Sequence, residues 1–384
     1  MGFMGGRVTY VRYRVGGASP LPMGDDLMER VAAHVIGKHG IEAQDGVSVG
    51  WSAGDHVLDL NFDPAKNLVN DALHVGMRID TDKIPGDLLR AYTKIEIDAR
   101  AQLNPTGFAN KAQKQEAKEA AIAHAEAEAK DGRFRRRKLT PVLWDGRENV
   151  LYAGTNSASV LDRLLGLFRE TFDRTLEPIT AGSLALEQAE ARGSARPVED
   201  AGPVLYLGEG GHTSVAWTGG DASSRDYWGN EFLIWLWHTL QHDSDTLALS
   251  DGSEATVMVA KTLTLDCPRG ETGRDSLTNE GPTRLPEALR ALQSGKLPRK
   301  AGLIVVREGS QYELTLQAET LSVSGAALPK IEGARGAELQ FARVDALRHL
   351  VETLDLIFEA YGRHRTGADW SGVLGRIRTW MKVA

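Results

Sequence analysis

Residues 108–144, FANKAQKQEAKEAAIAHAEAEAKDGRFRRRKLTPVLW, place a polar helix directly before a basic run and a strand. The part up to Lys130 is rich in Ala, Glu and Lys and has hardly a large apolar side chain. These residue types favour helix, but a helix without an apolar stripe has little with which to pack against a core. The sequence therefore predicts a helical arm that projects from the body of the protein.

The arm leads into the basic run RFRRRK, which puts four arginines, a lysine and a phenylalanine into six consecutive positions. Five like charges this close repel one another unless an anion lies among them, and phosphate is the obvious anion. The phenylalanine could stack on a base or wedge between bases, as in single-strand and minor-groove binders. The predicted DNA contacts are therefore Arg133, Phe134, Arg135, Arg136, Arg137 and Lys138. The alternative is a solvated charged turn with Phe134 folded back into the core.

Two smaller groups of cations are further candidates for DNA contact. The first lies on the arm and consists of Lys111, Lys114 and Lys118. The second follows a predicted helix and consists of Lys296, Arg299 and Lys300. Cations at the end of a helix also meet the negative end of its dipole, so helix capping is the alternative for the second group.

The rest of the chain shows the mixed strand and helix patterns of an α+β fold, with mixed or antiparallel sheets and covering helices. Strand-like alternation occurs at 8–15, 47–51, 56–62, 72–79, 141–144, 148–154, 202–208, 213–217, 254–267, 302–308 and 312–319. Helix-like spacing occurs at 25–40, 83–102, 157–173, 227–240, 284–295, 341–363 and 373–382.

The domain prediction follows from changes in composition along the chain. The stretch EQAEARGSARPVEDAG has the small, polar residues of a linker. The predicted units are an N-terminal α/β domain at 1–82, the helical arm and tip domain with its basic finger at 83–186, the linker at 187–202 and a C-terminal α/β domain at 203–384.

The overall charge does not argue against a nucleic-acid partner. The 384 residues carry a formal net charge of −7, but the local field matters, and a basic stripe can face phosphates while acidic residues occupy other faces. Cys267 is the single cysteine, which excludes an internal disulfide framework and favours a reducing cytoplasm. No apolar run is long enough for a membrane span, so we expect no membrane role.

Candidate catalytic residues are few and scattered. The acidic and histidine residues worth considering are Asp59, Asp63, Asp80, Asp82, His238, His242, Asp243 and Asp245. The two histidines are four residues apart on a predicted helix, but no HExxH glutamate lies between them and no third ligand is identifiable. The glycine-rich stretch GEGGHTS (208–214) lacks the lysine of a phosphate loop and is more typical of a hairpin turn. We predict no catalytic site, metal or cofactor; a metal-dependent DNA nuclease is the alternative.

The order of these segments resembles the bacterial recombination-associated RdgC family. The resemblance is carried by VGW after the first helix, by ALHVGMRIDTDKIP leading to LLRAYTKIEIDA, by the charged arm and basic run, and by PVLWDGRENVLYAGTNSASVLDRLLGLFRETF. It covers most of the chain and is clearest from about residue 70 to residue 180. The C-terminal half is longer than in the family and includes the segment GNEFLIWLW.

The resemblance implies a function and an assembly. Proteins of this family are α/β chains that dimerise into a ring with a positively charged hole, bind DNA with little sequence preference and antagonise RecA-driven strand exchange. Their finger of basic and aromatic residues corresponds here to Arg133–Lys138, with Phe134 as the aromatic residue. We therefore expect a nucleoid-associated homodimer that binds single- or double-stranded DNA and possesses no catalytic site. A third hypothesis is a scaffold that binds a RecA-type recombinase and touches DNA only incidentally.

Overall fold

The computed structural model describes residues 2–17, 21–37, 41–43, 46–129, 131–207, 215, 217 and 224–382. Its strands are β1 (Val8–Val15), β2 (Ile41–Ala43), β3 (Val47–Ser52), β4 (Leu68–Val69), β5 (Ala72–Asp82), β6 (Arg135–Asp145), β7 (Val150–Ala153), β8 (Leu176–Pro178), β9 (Thr246–Ala248), β10 (Glu254–Asp266), β11 (Asp275–Asn279), β12 (Leu297–Arg307), β13 (Ser310–Gln317) and β14 (Val323–Ala327).

The helices surround these strands. They are α1 (Asp25–Ala33), α2 (Pro64–Asn67), α3 (Gly86–Gln102), α4 (Lys111–Ala129), α5 (Ala158–Phe172), α6 (Ala181–Ala191), α7 (Arg196–Glu199), α8 (Tyr227–His242), α9 (Pro286–Gln293), α10 (Gly336–Thr366) and α11 (Trp370–Lys382). Residues Pro282–Arg284 form a short 3₁₀ turn before α9.

One sheet runs through the molecule in the order β11-β10-β12-β13-β14-β1-β7-β6-β5-β3-β2, with β4, β8 and β9 paired at its sides. Every pairing between these described strands is antiparallel. The predicted α+β class with an antiparallel sheet and covering helices is thereby confirmed. The ring and the division into domains stay predictions.

Strand β1 joins the two halves of this sheet. Its first residues pair with β14 and its later residues pair with β7. Val8 and Tyr10 enter one hydrophobic cluster, whereas Val11, Tyr13 and Val15 enter the other. Successive side chains of a strand point to opposite faces, so β1 needs apolar residues on both faces, and the sequence VTYVRYRV supplies them.

Helices α1 and α5 cover one face of the N-terminal half of the sheet. The amphipathic α5 buries Leu164, Phe168 and Phe172 there. Trp144 of β6 packs edge-on against both phenylalanine rings, with centroids 5.3 Å away in each case. The indole N–H of Trp51 donates a hydrogen bond of 2.8 Å to Thr171, which satisfies a polar atom that the core would otherwise leave without a partner.

Helix α8 forms the centre of the C-terminal half. Its segment YWGNEFLIWLWH is buried on all sides, as the apolar sequence predicts. The charged member of this segment, Glu231, accepts hydrogen bonds from Arg365 at 2.8 Å and from the Tyr361 hydroxyl at 3.0 Å. A buried carboxylate needs such partners because it has lost its hydration.

Two ion pairs fix the long helix α10 to the N-terminal half of the sheet. Arg12 of β1 donates two hydrogen bonds to Asp355, at 2.7 and 2.8 Å. Arg348 of α10 likewise donates to both carboxylate oxygens of Asp145, at 2.7 and 2.8 Å. The forked geometry of the guanidinium makes each contact bidentate and sets the orientation of the helix.

Helices α3 and α4 pack against each other as an antiparallel hairpin. Ala117, Ala121 and Ala125 of α4 have no exposed surface, and their spacing of four residues places them on one face. Small side chains therefore form the seam between the two helices. Near the base of the hairpin the Tyr92 hydroxyl donates a hydrogen bond of 2.8 Å to Glu128.

Residues 56–62, predicted as a strand, form a loop. Asp59 holds this loop, because its carboxylate accepts a hydrogen bond from the Lys66 ammonium at 2.8 Å and others from nearby backbone amides. Leu58 and Leu60 are exposed. The alternating pattern was misleading here because local hydrogen bonds from side chain to backbone satisfy the segment without a partner strand.

Other segments also differ from the sequence-based expectation. The first helix ends at Ala33 rather than at residue 40, because the chain turns and pairs Ile36 with Trp51 through a backbone hydrogen bond of 3.0 Å. Residues 202–207 are not a strand. The predicted strand at 213–217, except for residues 215 and 217, and the glycine-rich stretch 208–214 lie outside the described residues.

The predicted linker at 187–202 is largely helical. It contains the last residues of α6 and all of α7. Ala189 and Val198 are buried in the hydrophobic cluster of the C-terminal half. Its polar composition reflects the outer faces of these short helices, while a few apolar side chains hold them to the core.

Candidate nucleic-acid interface

Strands β5 and β6 form a long antiparallel pair, here called the ribbon, whose far end leads into the helical arm, while β3 pairs with the other edge of β5. They pair over eleven residues, from Ala72 opposite Asp145 to Asp82 opposite Arg135. The arm is the connection between the two strands. The basic run therefore lies on β6 itself, with only Arg133 and Phe134 in the turn before it.

The ribbon divides the basic run between two faces. Residues directly opposite one another on paired strands point to the same face, and successive residues alternate. Arg135 and Arg137 share a face with Asp82 and Asp80, which stand opposite them. Arg136 and Lys138 point to the other face. The first set of residues is called the paired face below and the second the open face.

Carboxylates stand opposite both arginines of the paired face, but only Arg135 has one to itself. Arg135 donates two hydrogen bonds to Asp82, at 3.1 and 3.0 Å. Hydrogen bonding to Asp82, and then the negative charge of that carboxylate, raise the pKa of the Arg135 guanidinium. Arg137 lies 3.8 Å from Asp80. The same carboxylate accepts a hydrogen bond of 2.7 Å from the buried Arg78. Arg135 is thus engaged within the protein, whereas Arg137 shares the Asp80 carboxylate with Arg78.

The open face carries two cations with no such partner. Arg136 and Lys138 are exposed, and within the described part of the chain neither side chain forms an ion pair. Thr81 and Ile79 stand opposite them, so no carboxylate is adjacent on that face. Alternate residues of a strand are about 6.6 Å apart, which spaces the two charges along the ribbon. Their field is therefore directed at solvent.

The turn before β6 holds the remaining arginine and the aromatic residue. Arg133 forms ion pairs with Asp131 at 3.0 Å and with Glu128 at 3.4 Å. Phe134 is half-buried and belongs to neither hydrophobic cluster of the described residues. Phe134 therefore lies in the turn before β6 and outside both core clusters.

His74 adds no positive charge to this region at neutral pH. It lies on β5, on the face of Arg78 and Asp80, and is almost fully buried. Burial lowers the pKa of its imidazole to about 4, because a charged ring would lose its hydration there. The positive field of the ribbon therefore comes from arginine and lysine alone.

The arm lysines form a second basic surface. Lys111, Lys114 and Lys118 are exposed and lie within one stripe of α4 at spacings of three and four residues. About 16 Å of helix separates Lys118 from the end of α4, at 1.5 Å per residue. The ribbon and the arm therefore present separate positive surfaces in one protomer.

The third predicted group, at the start of β12, lies apart from both. Lys296 pairs with Asp275 at 2.7 Å, and Arg299 donates a hydrogen bond of 2.9 Å to Glu319. The Arg299 guanidinium also lies over the ring of Trp217 at 4.6 Å, while Lys300 is exposed. Strand β12 is five positions from β6 in the sheet, about 24 Å at the usual strand spacing.

Most of the carboxylates considered for catalysis have structural partners. Asp59 binds Lys66, Asp80 binds Arg78, and Asp82 binds Arg135. Asp63 caps α2 by accepting a hydrogen bond from the Ala65 amide, and Asp243 is the C-cap of α8. In the described ranges no group of three or more His, Cys, Asp or Glu side chains is arranged to hold a metal ion.

The two histidines of α8 form an aromatic cluster. His238 and His242 lie 4.9 Å apart, and Trp380 of α11 packs edge-on against both rings. The pKa of His238 is lowered, first by burial and then by the neighbouring His242. A neutral histidine packed on tryptophan is typical of a core contact.

The comparisons with known proteins provide no family assignment. No protein-family model matches the chain, and no curated protein is significantly similar to it in sequence. No helix among the described residues has the length and apolar character needed to cross a membrane. The candidate interface is therefore argued from its own residues.

Sequence reasoning located the basic run but missed how the ribbon divides it. The neutralising residues are Asp80 and Asp82, which lie more than 50 positions before their partners. A signal was present, because IDTD alternates two acids with Thr81 in the same way that Arg135 and Arg137 alternate with Arg136. Using it would have required the register of β5 on β6, which the intervening arm conceals.

Proposed function

We propose that this protein binds DNA without sequence preference through the open face of the ribbon. The observation that carries the proposal is the pair Arg136 and Lys138, which stays without carboxylate partners although the adjacent arginines have them. Repulsion between exposed like charges destabilises a folded protein, so two unpaired cations side by side favour a role with an external anion. Phosphates carry no sequence information, which accounts for binding without sequence preference.

The arm extends this proposal to a homodimer. At its tip Leu103 and Phe108 are 83% and 79% exposed. The loop between them is rigid, because the Asn104 amide donates hydrogen bonds of 2.7 Å to the Phe108 carbonyl and 2.6 Å to the Gln113 side chain. Large apolar side chains on a rigid exposed loop are typical of an interaction site. A symmetric pairing of two tips would bury four such side chains.

A ring-shaped dimer around DNA and antagonism of a RecA-type recombinase complete the proposed role. Both rest on the resemblance to the RdgC family. The open faces and arm lysines of two protomers would supply the positive lining that such a ring requires. The partners proposed are therefore DNA, a second copy of the chain and a recombinase filament.

Salt dependence tests the phosphate contacts. A dimer with two open faces neutralises at least about four phosphates, so log K should fall linearly with log salt with a slope of about −3.6 or steeper on duplex. Duplexes of unrelated sequence should give the same affinity and slope. Fluorescence anisotropy over a salt series measures both quantities. A flat salt response would refute the phosphate contacts.

A Phe134 variant distinguishes contacts with DNA bases from contacts with phosphate charge. If its ring stacks on or between bases, Phe134→Ala should weaken binding by roughly 1–3 kcal/mol and leave the salt slope unchanged, because no charge is removed. The melting temperature should change little, since Phe134 lies outside both core clusters. Anisotropy and thermal denaturation of the same variant measure the two effects. Lower thermal stability with unchanged DNA affinity would instead assign the ring a packing role.

Two further assays address the alternative functions. Loss of labelled DNA on incubation with Mg²⁺, abolished by Asp243→Ala, would establish a nuclease. Binding of a recombinase without any affinity for DNA would establish a scaffold. We expect intact DNA and measurable DNA affinity.

A further inference from the structure

A groove along the arm has the features of a docking site. It has a volume of about 430 Å³ and is lined by Leu89, Arg90, Thr93, Lys94, Ile97 and Lys118. These residues come from α3 and from one position of α4. The groove therefore follows the line between the two helices of the hairpin.

The floor of the groove is apolar. Leu89, Thr93 and Ile97 are spaced four residues apart and lie on one stripe of α3. The Thr93 hydroxyl donates a hydrogen bond of 2.7 Å to the Leu89 carbonyl, so its methyl group is the part left for an incoming partner. None of the 17 residues of α3 is buried. Leu89, Thr93 and Ile97 are half-buried, so α4 covers this apolar stripe only in part.

Cations stand on both sides of this floor. Arg90 and Lys94 lie on the outer edge of α3, and Lys118 approaches from α4. Arg90 is paired with Asp87, whereas Lys94 and Lys118 form no ion pair with any described residue. A ligand with negative charge on both sides would therefore form ion pairs with these two lysines.

We propose that this groove binds an amphipathic, acidic helix of a partner protein. The stripe from Leu89 to Ile97 extends over about 12 Å, which is two turns of helix. A third helix laid between two antiparallel helices completes a three-helix bundle, with apolar residues every third or fourth position on the floor and acids beside the lysines. Nucleic acid fits less well, because the floor is aliphatic and offers no ring on which a base could stack.

The proposal concerns a protein partner and does not depend on DNA binding by the ribbon; Lys118 is the one residue that it shares with the proposed positive lining of the ring. The groove is on α3 and α4, whereas the open face is on β6. Exposed Ile95 lies on another side of α3 and does not line the groove. It provides a matched control for Ile97.

The test uses a designed peptide as the probe. A fluorescein-labelled helix of about three turns carries Leu at every third or fourth position and Glu between them. A second peptide of the same composition has its leucines scattered so that no stripe forms. We expect the striped peptide to bind the full-length protein and the scattered peptide to bind at least about tenfold more weakly.

Variants then localise the binding. Lys94→Glu and Ile97→Ser should each lower affinity for the striped peptide about tenfold, through lost charge contact and lost apolar contact respectively. Ile95→Ser should leave affinity unchanged. Lys94 is exposed, so its variant keeps the proposal testable even if Ile97→Ser unfolds the arm, which circular dichroism would reveal.

Three outcomes would overturn the proposal. Equal binding of the two peptides would mean nonspecific electrostatic attraction without use of the apolar floor. Displacement of the peptide by a single-stranded oligonucleotide whose own binding is lost with Lys94→Glu would make the groove a nucleic-acid site. A change in the protein's oligomeric mass caused by Lys94→Glu would make it a contact between copies of this chain.

Discussion

Reversing both charges of the open face, Arg136→Glu with Lys138→Glu, should weaken DNA binding about a thousandfold at low salt. Each change removes one positive charge and adds one negative charge, so the field facing the phosphates changes by four units. One unit charge 4 Å from another is worth about 1 kcal/mol in water, which gives about 4 kcal/mol for each protomer that contacts the DNA, so a thousandfold loss is the lower bound for the dimer. Anisotropy with a labelled duplex measures the loss. Both positions are exposed, so the fold should be preserved.

A neutral pair of variants distinguishes the two faces at constant charge. Arg136→Gln with Lys138→Gln should lower affinity about ten- to hundredfold and reduce the salt slope by about two phosphate contacts per protomer. Arg135→Gln with Arg137→Gln removes the same net charge but should cost less than about threefold, because these side chains point to the opposite face of the ribbon, where Arg135 is also paired with Asp82. Equal losses from the two double variants would show that the division into faces has no bearing on DNA.

The complementary variant should strengthen binding. Asp82→Asn removes the carboxylate that holds Arg135 through two hydrogen bonds. The added unit of net charge should raise DNA affinity by up to about fivefold at low salt. The salt slope should stay the same, because Arg135 points to the face of the ribbon opposite the proposed DNA contact. A steeper slope would show that the paired face also contacts phosphate.

Long periodic segments of the sequence were sufficient to predict most of the fold. The mostly apolar α8, the amphipathic α5, the alternating β1 and the apolar run in β12 each followed from a pattern within the segment itself. The arm was predicted from the opposite signal, the lack of large apolar side chains. Helix α4 packs against α3 through a seam of alanines. Composition alone does not distinguish such a packed helix from a solvated one.

The secondary-structure predictions that were missing or wrong have one of two physical causes. Some elements depend on pairing with distant residues, and others are held by local hydrogen bonds. The polar strand β11, DSLTN, owes its conformation to pairing with β10 rather than to its own residues. The short strand β9 depends on the same neighbour. Residues 56–62 have the alternation of a strand, but Asp59 satisfies their backbone amides locally.

In the candidate site, too, local properties of the sequence were predictable and contacts between distant strands were not. Charge density along the chain identified Arg133–Lys138, because density is a property of the segment. Which of these cations are neutralised depends on the register of β6 against β5. The engagement of Lys296 and Arg299 likewise depends on β11 and on Glu319. A run of charges therefore predicts a basic surface. Pairing between strands determines which cations of that surface remain free to contact an anion.

Removing the apolar tip of the arm should abolish the dimer. In Leu103→Ser with Phe108→Ser, twofold symmetry removes four large apolar side chains from a tip-to-tip contact. Each is worth about 1.5–3 kcal/mol when buried, so the loss is at least about 6 kcal/mol and the dissociation constant should rise more than about a thousandfold. At micromolar concentration, sedimentation should show a species of 41.7 kDa for the variant and twice that mass for the parent.

Ile95→Ser, which removes an exposed apolar side chain from the same arm away from the tip, should remain dimeric. A parent protein that sediments as a monomer would refute the proposed assembly, and a variant that stays dimeric would place the contact elsewhere. Since a ring closes only through two copies, the monomeric variant should also bind linear and circular duplex with equal rates, whereas the parent should load slowly on closed circles.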